Sequence, residues 1–506
     1  MKLQHLLPIG ISLLLMLGCN NPEDGKTNEK DPIIDENEDV TAYLTRSNAT
    51  ALFAKSTFAF NSSSQETQFK VTYDKNATGP QVEGFGLAIT TATAYNLLRM
   101  NQENRTAFLT ELFSKDKGAG SSLIRVSIGA SDFCLKDEYT WCDTKGLENF
   151  AVHSEDLNYL FPVLREIYAI NPDVKIIGSP WSCPKWMKGG GSWGYAGYDT
   201  ATLEKDYPQW TSGRLKPSCY SDYAEYFVKW IQTMQTEGFK IHAITMQNEP
   251  LNNGNSMSMY MPWRDQRDFI KVLGPAMEKA GLSDVKILLF DHNYNYDDKA
   301  DQRNYPLNIY ADAEAYKWAD GSAWHNYGGN VSELDNIVAT NPEKDIYFTE
   351  ASIGEWNYSF PNCLINDFSS IFLGTLSRGG KGVTLWNLML DDKKGPYSPH
   401  DGSCKTCFGG VTINSSDYKT ITKNSHWYNV VHASSVVKPG AKRLETTDSG
   451  FPSGFEYLMF LNTDGSIGVL LCNKNEANQQ IIFSGDKASV KYIVPGKSIA
   501  SLLWKE

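Results

Sequence analysis

Between residues 82 and 430, short apolar runs alternate with longer amphipathic segments, and this rhythm restricts the fold more than any other feature of the chain. A short apolar run followed by a stretch of helical period is one strand–helix unit, and repeated units build a parallel sheet. The strand candidates are Gly84–Ile89, Ser122–Ile128, Val174–Gly178, Ile241–Met246, Lys286–Phe290, Ser322–Trp324, Ile346–Thr349 and Gly382–Leu385. Among the helices between them, Ser154–Ala169 carries Leu157, Leu160, Phe161, Leu164 and Ile167 at helical spacing, with Ser154 as the expected N-cap. Ser221–Thr236, Arg264–Ala280, Ile365–Leu376 and a weaker Asn330–Ala339 follow. Eight strands with intervening helices predict a (β/α)8 TIM barrel. A doubly wound open sheet is the rival, weakened because no glycine-rich phosphate loop follows the first strand.

The two ends of the chain read differently. Residues 41–80 and 431–506 alternate with period two, as in Glu456–Phe460, Ile467–Cys472, Gln480–Phe483 and Val490–Val494, with turn residues between the runs. The N-terminal strands are too few to be stable alone, so they are expected to join the C-terminal ones in a single antiparallel β-sandwich side domain. The expected organisation is a signal segment at 1–19, a flexible tether at 20–40, N-terminal strands at 41–80, a barrel at 81–430 and the remaining β strands at 431–506. In the first segment, Lys2 and His5 precede the apolar run Leu6–Leu17, which ends in Gly18-Cys19. That run is too short for a membrane span and resembles a bacterial lipobox. The chain is therefore expected to be exported and anchored to the outer membrane through a lipidated Cys19, its only membrane contact.

In an oxidising compartment the remaining cysteines are disulfide candidates, and Cys134 with Cys142 and Cys404 with Cys407 close the shortest loops. No second Cys or His pair stands at zinc spacing beside Cys404-x-x-Cys407, so neither metal nor cofactor is expected. A formal net charge of −12 argues against a nucleic-acid partner, whose phosphates require clustered Lys and Arg. Thirteen tryptophans, several beside Gly, Pro or polar residues, suit a cleft in which indole faces pack on sugar rings. A monomer is expected.

A barrel places its chemistry where strands finish. Here the finishing residues are Arg125 with Ser131-Asp132-Phe133, then Ser179-Pro180-Trp181, Gln247-Asn248-Glu249, Asp291-His292, Trp324-His325-Asn326-Tyr327, Glu350 and Trp386-Asn387. So many polar groups at one rim exceed what a structural barrel needs. Glu249 and Glu350 each close an apolar run, and two carboxyls facing one cleft are the arrangement that cleaves glycosidic bonds. Asp132, His292 and His325 are weaker candidates, because a histidine at a strand end is commonly a structural hydrogen-bonding group. The segments 188–198 and 292–310 read as loops over the cleft, with Trp193 as a possible sugar platform.

The ordered set Gly84–Ala88 (GFGLA), Ile124–Ile128 (IRVSI), Ser179–Lys188 (SPWSCPKWMK), Met246–Pro250 (MQNEP), Trp324–Tyr327 (WHNY), Phe348–Ser352 (FTEAS) and Trp386–Leu388 (WNL) resembles glycoside hydrolase family 30. The resemblance implies a TIM barrel with a β side domain from both termini and a retaining mechanism. It implies Glu249 as acid/base, Glu350 as nucleophile and Asn248 as the residue that holds the sugar 2-hydroxyl. Arg125, Trp181, Tyr327 and Trp386 match residues lining the subsite where the bond is cut. The motifs look closest to the β-1,6-glucanase and glucosylceramidase branches. The xylan-active branch reads uronic acid through a basic loop, where this chain has the mixed run Asp391-Asp392-Lys393-Lys394. For a Gram-negative envelope enzyme that meets fungal glucan, the expected activity is endo-β-1,6-glucanase. The alternatives are a glucosylceramidase-like exo-β-glucosidase, a xylan-active hydrolase, and a non-catalytic surface glycan-binding lipoprotein that uses the aromatics alone. In every case the partner is a polysaccharide or oligosaccharide.

Overall fold

The strand–helix rhythm folds as a parallel barrel in the computed structural model, which describes residues 39–60, 69–190, 200–294, 299–485 and 489–506. The expected signal segment, most of the expected tether, and Trp193 lie outside the described residues. Among the described residues the barrel strands, first to eighth, are Gly84–Leu87, Leu123–Ser127, Lys175–Ser179, Ile241–Thr245, Lys286–Asn293, Gly321–His325, Asp345–Glu350 and Gly382–Leu385. Each pairs in parallel with its neighbour, and the eighth pairs with the first. Backbone hydrogen bonds close the seam between the first two strands, from Ile89 N–H to the Arg125 carbonyl (2.9 Å) and from Ser122 N–H to the Phe85 carbonyl (3.1 Å). Gly86 permits that approach, since a Cβ there would lie 1.9 Å from the Leu123 carbonyl oxygen.

Side chains alternate in and out along each strand. Leu123, Ile177, Ala243, Leu288, Ala323 and Tyr347 form a fully buried apolar layer of their own. Burying each larger member contributes about 1.5–3 kcal/mol. Two residues further along the same strands stand Arg125, Ser179, Thr245, His325 and Thr349, so the next layer towards the C-terminal mouth is polar. At the opposite mouth Glu83 meets His242, Lys175 (3.2 Å) and Lys286 (3.6 Å), an ionic plug.

The β side domain is one sheet that interleaves both chain ends, antiparallel as expected except where Phe69–Gln81 and Gln479–Ser484 run parallel. Its order is Ala54–Phe58, Val40–Arg46, Ser498–Trp504, Ile467–Asn473, Phe455–Leu461, Lys442–Asp448, Phe69–Gln81, Gln479–Ser484 and Ser489–Val494. Val40 faces Trp504 across the sheet, so the first described strand depends on the last. The buried helix Ser425–Val436 joins barrel and sheet. From it the imidazole of His432 reaches Thr45 Oγ1 through Nε2 (2.8 Å) and Ser501 Oγ through Nδ1 (2.8 Å).

Several expectations need correction. The N-cap expected of Ser154 is supplied by His153, whose carbonyl accepts from Leu157 N–H (3.1 Å) and whose Nδ1 accepts from Glu155 N–H (3.3 Å). The following helix opens with a π segment, Asp156–Leu160, just before Pro162, which has no N–H to donate. Cys134 and Cys142 do not pair. Cys142 Sγ points instead to the Gly146 carbonyl (3.2 Å), and Cys134 is buried beside Ser398. Cys404 and Cys407 form the disulfide.

Burial holds the pKa of His432 down at about 3, so the folded state resists its protonation. The unfolded chain binds this proton below about pH 6.5, so the stabilisation is complete above that pH and is lost as pH falls towards 3. Thermal unfolding measured between pH 7 and 4 is therefore expected to show a smaller decline in melting temperature for His432→Gln than for the parent protein. Parallel declines would remove His432 from the linkage.

Candidate active site

The polar layer is organised by Asp291. On a regular fifth strand, alternation from inward-facing Leu288 would turn Phe290 inward and Asp291 outward. A bulge between Phe290 and His292 reverses this, with φ of 71° at Phe290 and 70° at Asp291. Two such non-glycine residues cost on the order of 1–3 kcal/mol each. The Phe290 N–H is satisfied by Gln266 Oε1 (2.8 Å), and its ring packs outward against Tyr305 and Trp324. Asp291 thereby reaches the barrel axis. Its Oδ2 accepts from Ser179 Oγ (2.8 Å), Thr245 Oγ1 (2.6 Å) and Arg125 Nη2 (2.8 Å), and its Oδ1 from Thr349 Oγ1 (2.6 Å) and His325 Nε2 (3.0 Å). Burial would raise this carboxyl, but Arg125, His325 and Thr245 hold it far below the usual range.

The two glutamates stand directly above. Arg125 Nη1 donates to Glu350 Oε2 (2.5 Å), and Tyr327 Oη donates to Glu350 Oε1 (2.9 Å). Arg125 Nη2 also donates to Asn248 Oδ1 (2.7 Å), which orients that amide. Glu249 has φ of 45°, and its N–H donates to the Asp291 carbonyl (2.9 Å). Its Oε2 accepts from Asn252 Nδ2 (2.8 Å), and its Oε1 lies 3.3 Å from His325 Nδ1. One carboxylate oxygen from Glu249, one from Glu350 and a His325 ring nitrogen all lie within 4.8 Å of one another. Each of these groups is also engaged by the protein, by Asn252, Arg125 and Asp291 in turn.

Above the carboxylates lies a cavity of about 470 Å³, lined by Asp132, Trp181, Asn248, Glu249, Tyr327, Glu350 and Trp386 among others. The indoles of Trp181 and Trp386 stack 5.0 Å apart, and the Arg125 guanidinium lies 5.0 Å and 5.6 Å from their centroids. Arg125 and His325, both candidates for substrate contact, are fully buried one layer lower and act on the cavity through lining residues, Arg125 through Glu350 and Asn248 and His325 through Glu249. The Cys404–Cys407 disulfide walls one side. Burial and the Glu350 charge push Asp132 up to about 8, so near neutral pH it is a protonated acid able to donate to a hydroxyl. Asp291, Asn252 and the disulfide wall were not among the expected site residues. Asp291 was visible only as a polar strand end, and Asn252 only within the amide-rich run that follows Pro250.

Burial pushes Glu350 above its ordinary value, only partly opposed by His325 and Arg125. Burial acts on Glu249 in the same sense, but the hydrogen bond from His325 and the charges of His292 and His325 outweigh it and hold Glu249 at about 2. For His325, burial would lower the pKa, yet the carboxylates of Glu350, Asp291 and Glu249 raise it to about 9. Between His325 and Glu249, the proton near neutral pH therefore rests on His325.

The Glycosyl hydrolase family 30 TIM-barrel domain matches residues 82–437, and the Glycosyl hydrolase family 30 beta sandwich domain matches residues 440–502. The chain belongs to glycoside hydrolase family 30. The solved endo-beta1,6-glucanase BT3312 is 48% identical, covers 92% of this chain and 99% of its own, and superposes with a TM-score of 0.86. An endo-1,6-beta-D-glucanase from Neurospora crassa is 31% identical over 421 residues, 80% of this chain and 82% of its own. The lysosomal acid glucosylceramidase of Mus musculus is 27% identical over 464 residues, 84% of this chain and 81% of its own.

Asp291→Asn keeps the shape but loses the charge that neutralises Arg125 and His325. It is expected to lower kcat/KM by about 10²–10³-fold while the protein still unfolds cooperatively. Steady-state kinetics paired with thermal unfolding check this, and a folded variant with less than about threefold loss would contradict it.

Proposed function

We propose that the chain is a retaining endo-β-1,6-glucanase that works by double displacement. The observation that carries the mechanism is the approach of Glu249 and Glu350 oxygens to within 4.8 Å. Retaining glycosidases hold their carboxyls about 5–5.5 Å apart, whereas inverting ones leave about 6.5–9.5 Å for a water. The linkage is supported by the 48% identity to an endo-beta1,6-glucanase along 92% of the chain.

In the first step Glu350 attacks the anomeric carbon, with its second oxygen held by Tyr327 or Arg125, while Glu249 protonates the departing oxygen. The proton reaches Glu249 from His325. Transfer from Nδ1 to Oε1 across 3.3 Å leaves a neutral imidazole and a protonated carboxyl, with no change in net charge. A bound sugar that displaces water penalises the two charges and favours the neutral pair. The covalent glycosyl-enzyme then has no charge on Glu350. Glu249, ionised by loss of its proton to the leaving group, takes a proton from water, and the hydroxide so formed releases the sugar. Asp132, protonated near neutral pH, donates to a sugar hydroxyl, and the Trp181–Trp386 pair supplies an apolar face. Export and anchoring through Cys19 belong to the same proposal and are supported by the lipobox-like sequence.

Glu350→Ala is expected to abolish turnover. Glu249→Ala should slow β-1,6-glucan hydrolysis far more than hydrolysis of an aryl β-glucoside with a good leaving group, and added azide should restore part of the rate. Equal losses on both substrates would remove Glu249 from the acid/base role. The pH profile of kcat/KM should be a bell, with its acid limb above the ordinary glutamate value, where Glu350 becomes protonated, and its basic limb near 9, where His325 loses the proton. In His325→Asn the basic limb should move to lower pH by more than about one unit. An unmoved limb in that variant would exclude His325 as the proton source.

A further inference from the structure

The loop after Glu350 carries a feature that bond cleavage does not use. Trp356 is half exposed, the most open tryptophan among the described residues. It lines the catalytic cavity and also a second groove of about 500 Å³, and Tyr327 and Ser352 border both. The two spaces therefore meet along one shared edge, with Trp356 between them.

The ring is firmly mounted. It lies on the backbone of Gly354, where a Cβ would fall 2.0 Å from ring atom Cζ3. Gly354 in turn pairs with Cys407 in a two-stranded ladder, and Glu355 N–H donates to the Thr406 carbonyl (2.9 Å). Tyr358 N–H closes the turn on the Gly354 carbonyl (3.0 Å), and the Glu355 carboxylate meets Lys394 Nζ at 2.8 Å. A half-exposed indole on so constrained a loop has little freedom to lose on binding.

Beside Ile353 and Cys363, the rest of the second groove is rich in amides, from Asn326, Asn357, Asn362 and Asn366. Asp367 contributes a carboxylate, already engaged by His426 Nε2 at 3.1 Å. Amides both donate and accept, which matches the hydroxyls of a neutral sugar, and an indole face packs on its C–H face.

We infer that this groove is a subsite for the glucosyl unit next to the scissile pair, with Trp356 as its platform. The inference rests on the reading of the chain as a glucan hydrolase and adds where the flanking chain lies. A groove that continues past the catalytic cavity fits cleavage inside a polymer.

The test is kcat/KM for β-1,6-linked glucose oligosaccharides from the disaccharide to the hexasaccharide, in the parent protein, Trp356→Ala and Trp356→Phe. The parent should gain efficiency with length. Trp356→Ala should reduce that gain by about tenfold, the scale of one aromatic contact, and Trp356→Phe should retain most of it. A gain unchanged in Trp356→Ala, a loss equal at every length, or a Phe variant no better than Ala would each overturn the platform. If the parent cleaves β-1,3-glucan or xylan instead of the β-1,6 series, the linkage assignment fails, and the same length series on the cleaved polymer then decides the subsite.

Discussion

A buried carboxylate at the axis of a barrel must be fully satisfied, and the whole cleft is built around meeting that condition for Asp291. An unpaired ion at this depth would cost several kcal/mol. Among the described residues, side chains from five different strands donate to it, and its own carbonyl accepts the N–H of Glu249. Moving Asp291 would therefore move Arg125, His325 and the backbone of Glu249 together. The bulge at Phe290–His292 stores backbone strain, and its return is that one acid orients both halves of the catalytic pair.

The site separates the duties of its cations. Arg125 is permanently charged, is boxed beneath two indoles, and holds the carboxylate of Glu350. His325 is titratable and faces Glu249. A fixed cation beside the nucleophile and a releasable proton beside the acid divide the two roles between carboxyls of the same chemical type. The apolar layer lies beneath them and the Glu83 ion-pair cluster closes the far mouth.

Legibility in the sequence followed the physics of each element. The barrel strands were visible because a strand buried on both faces must be a continuous apolar run. The side domain was visible because its strands alternate with period two. Glu249, Glu350, Trp181, Tyr327 and Trp386 could be anticipated because barrel chemistry collects at strand ends. The bulge could not, because nothing in Leu-Phe-Asp-His announces two residues with positive φ, and a regular strand would have turned Asp291 away from the axis. Arg125 was expected at the subsite lining and His325 as a weaker candidate, and their burial one layer lower was not legible, since sequence order does not give depth. The Cys134–Cys142 pairing failed because short separation does not fix side-chain direction, and Cys142 turns to a local carbonyl instead.

The spacing of the two glutamates makes one claim that needs no mutant. Attack by Glu350 followed by attack of water inverts the anomeric centre twice, so the first product must keep the configuration of the substrate. Proton nuclear magnetic resonance of the anomeric signals in the first minutes of β-1,6-glucan hydrolysis measures this directly. The β anomer appearing first, with the α anomer growing only at the rate of mutarotation, is the predicted result. The α anomer appearing first would show a single displacement by water and would contradict a covalent role for Glu350.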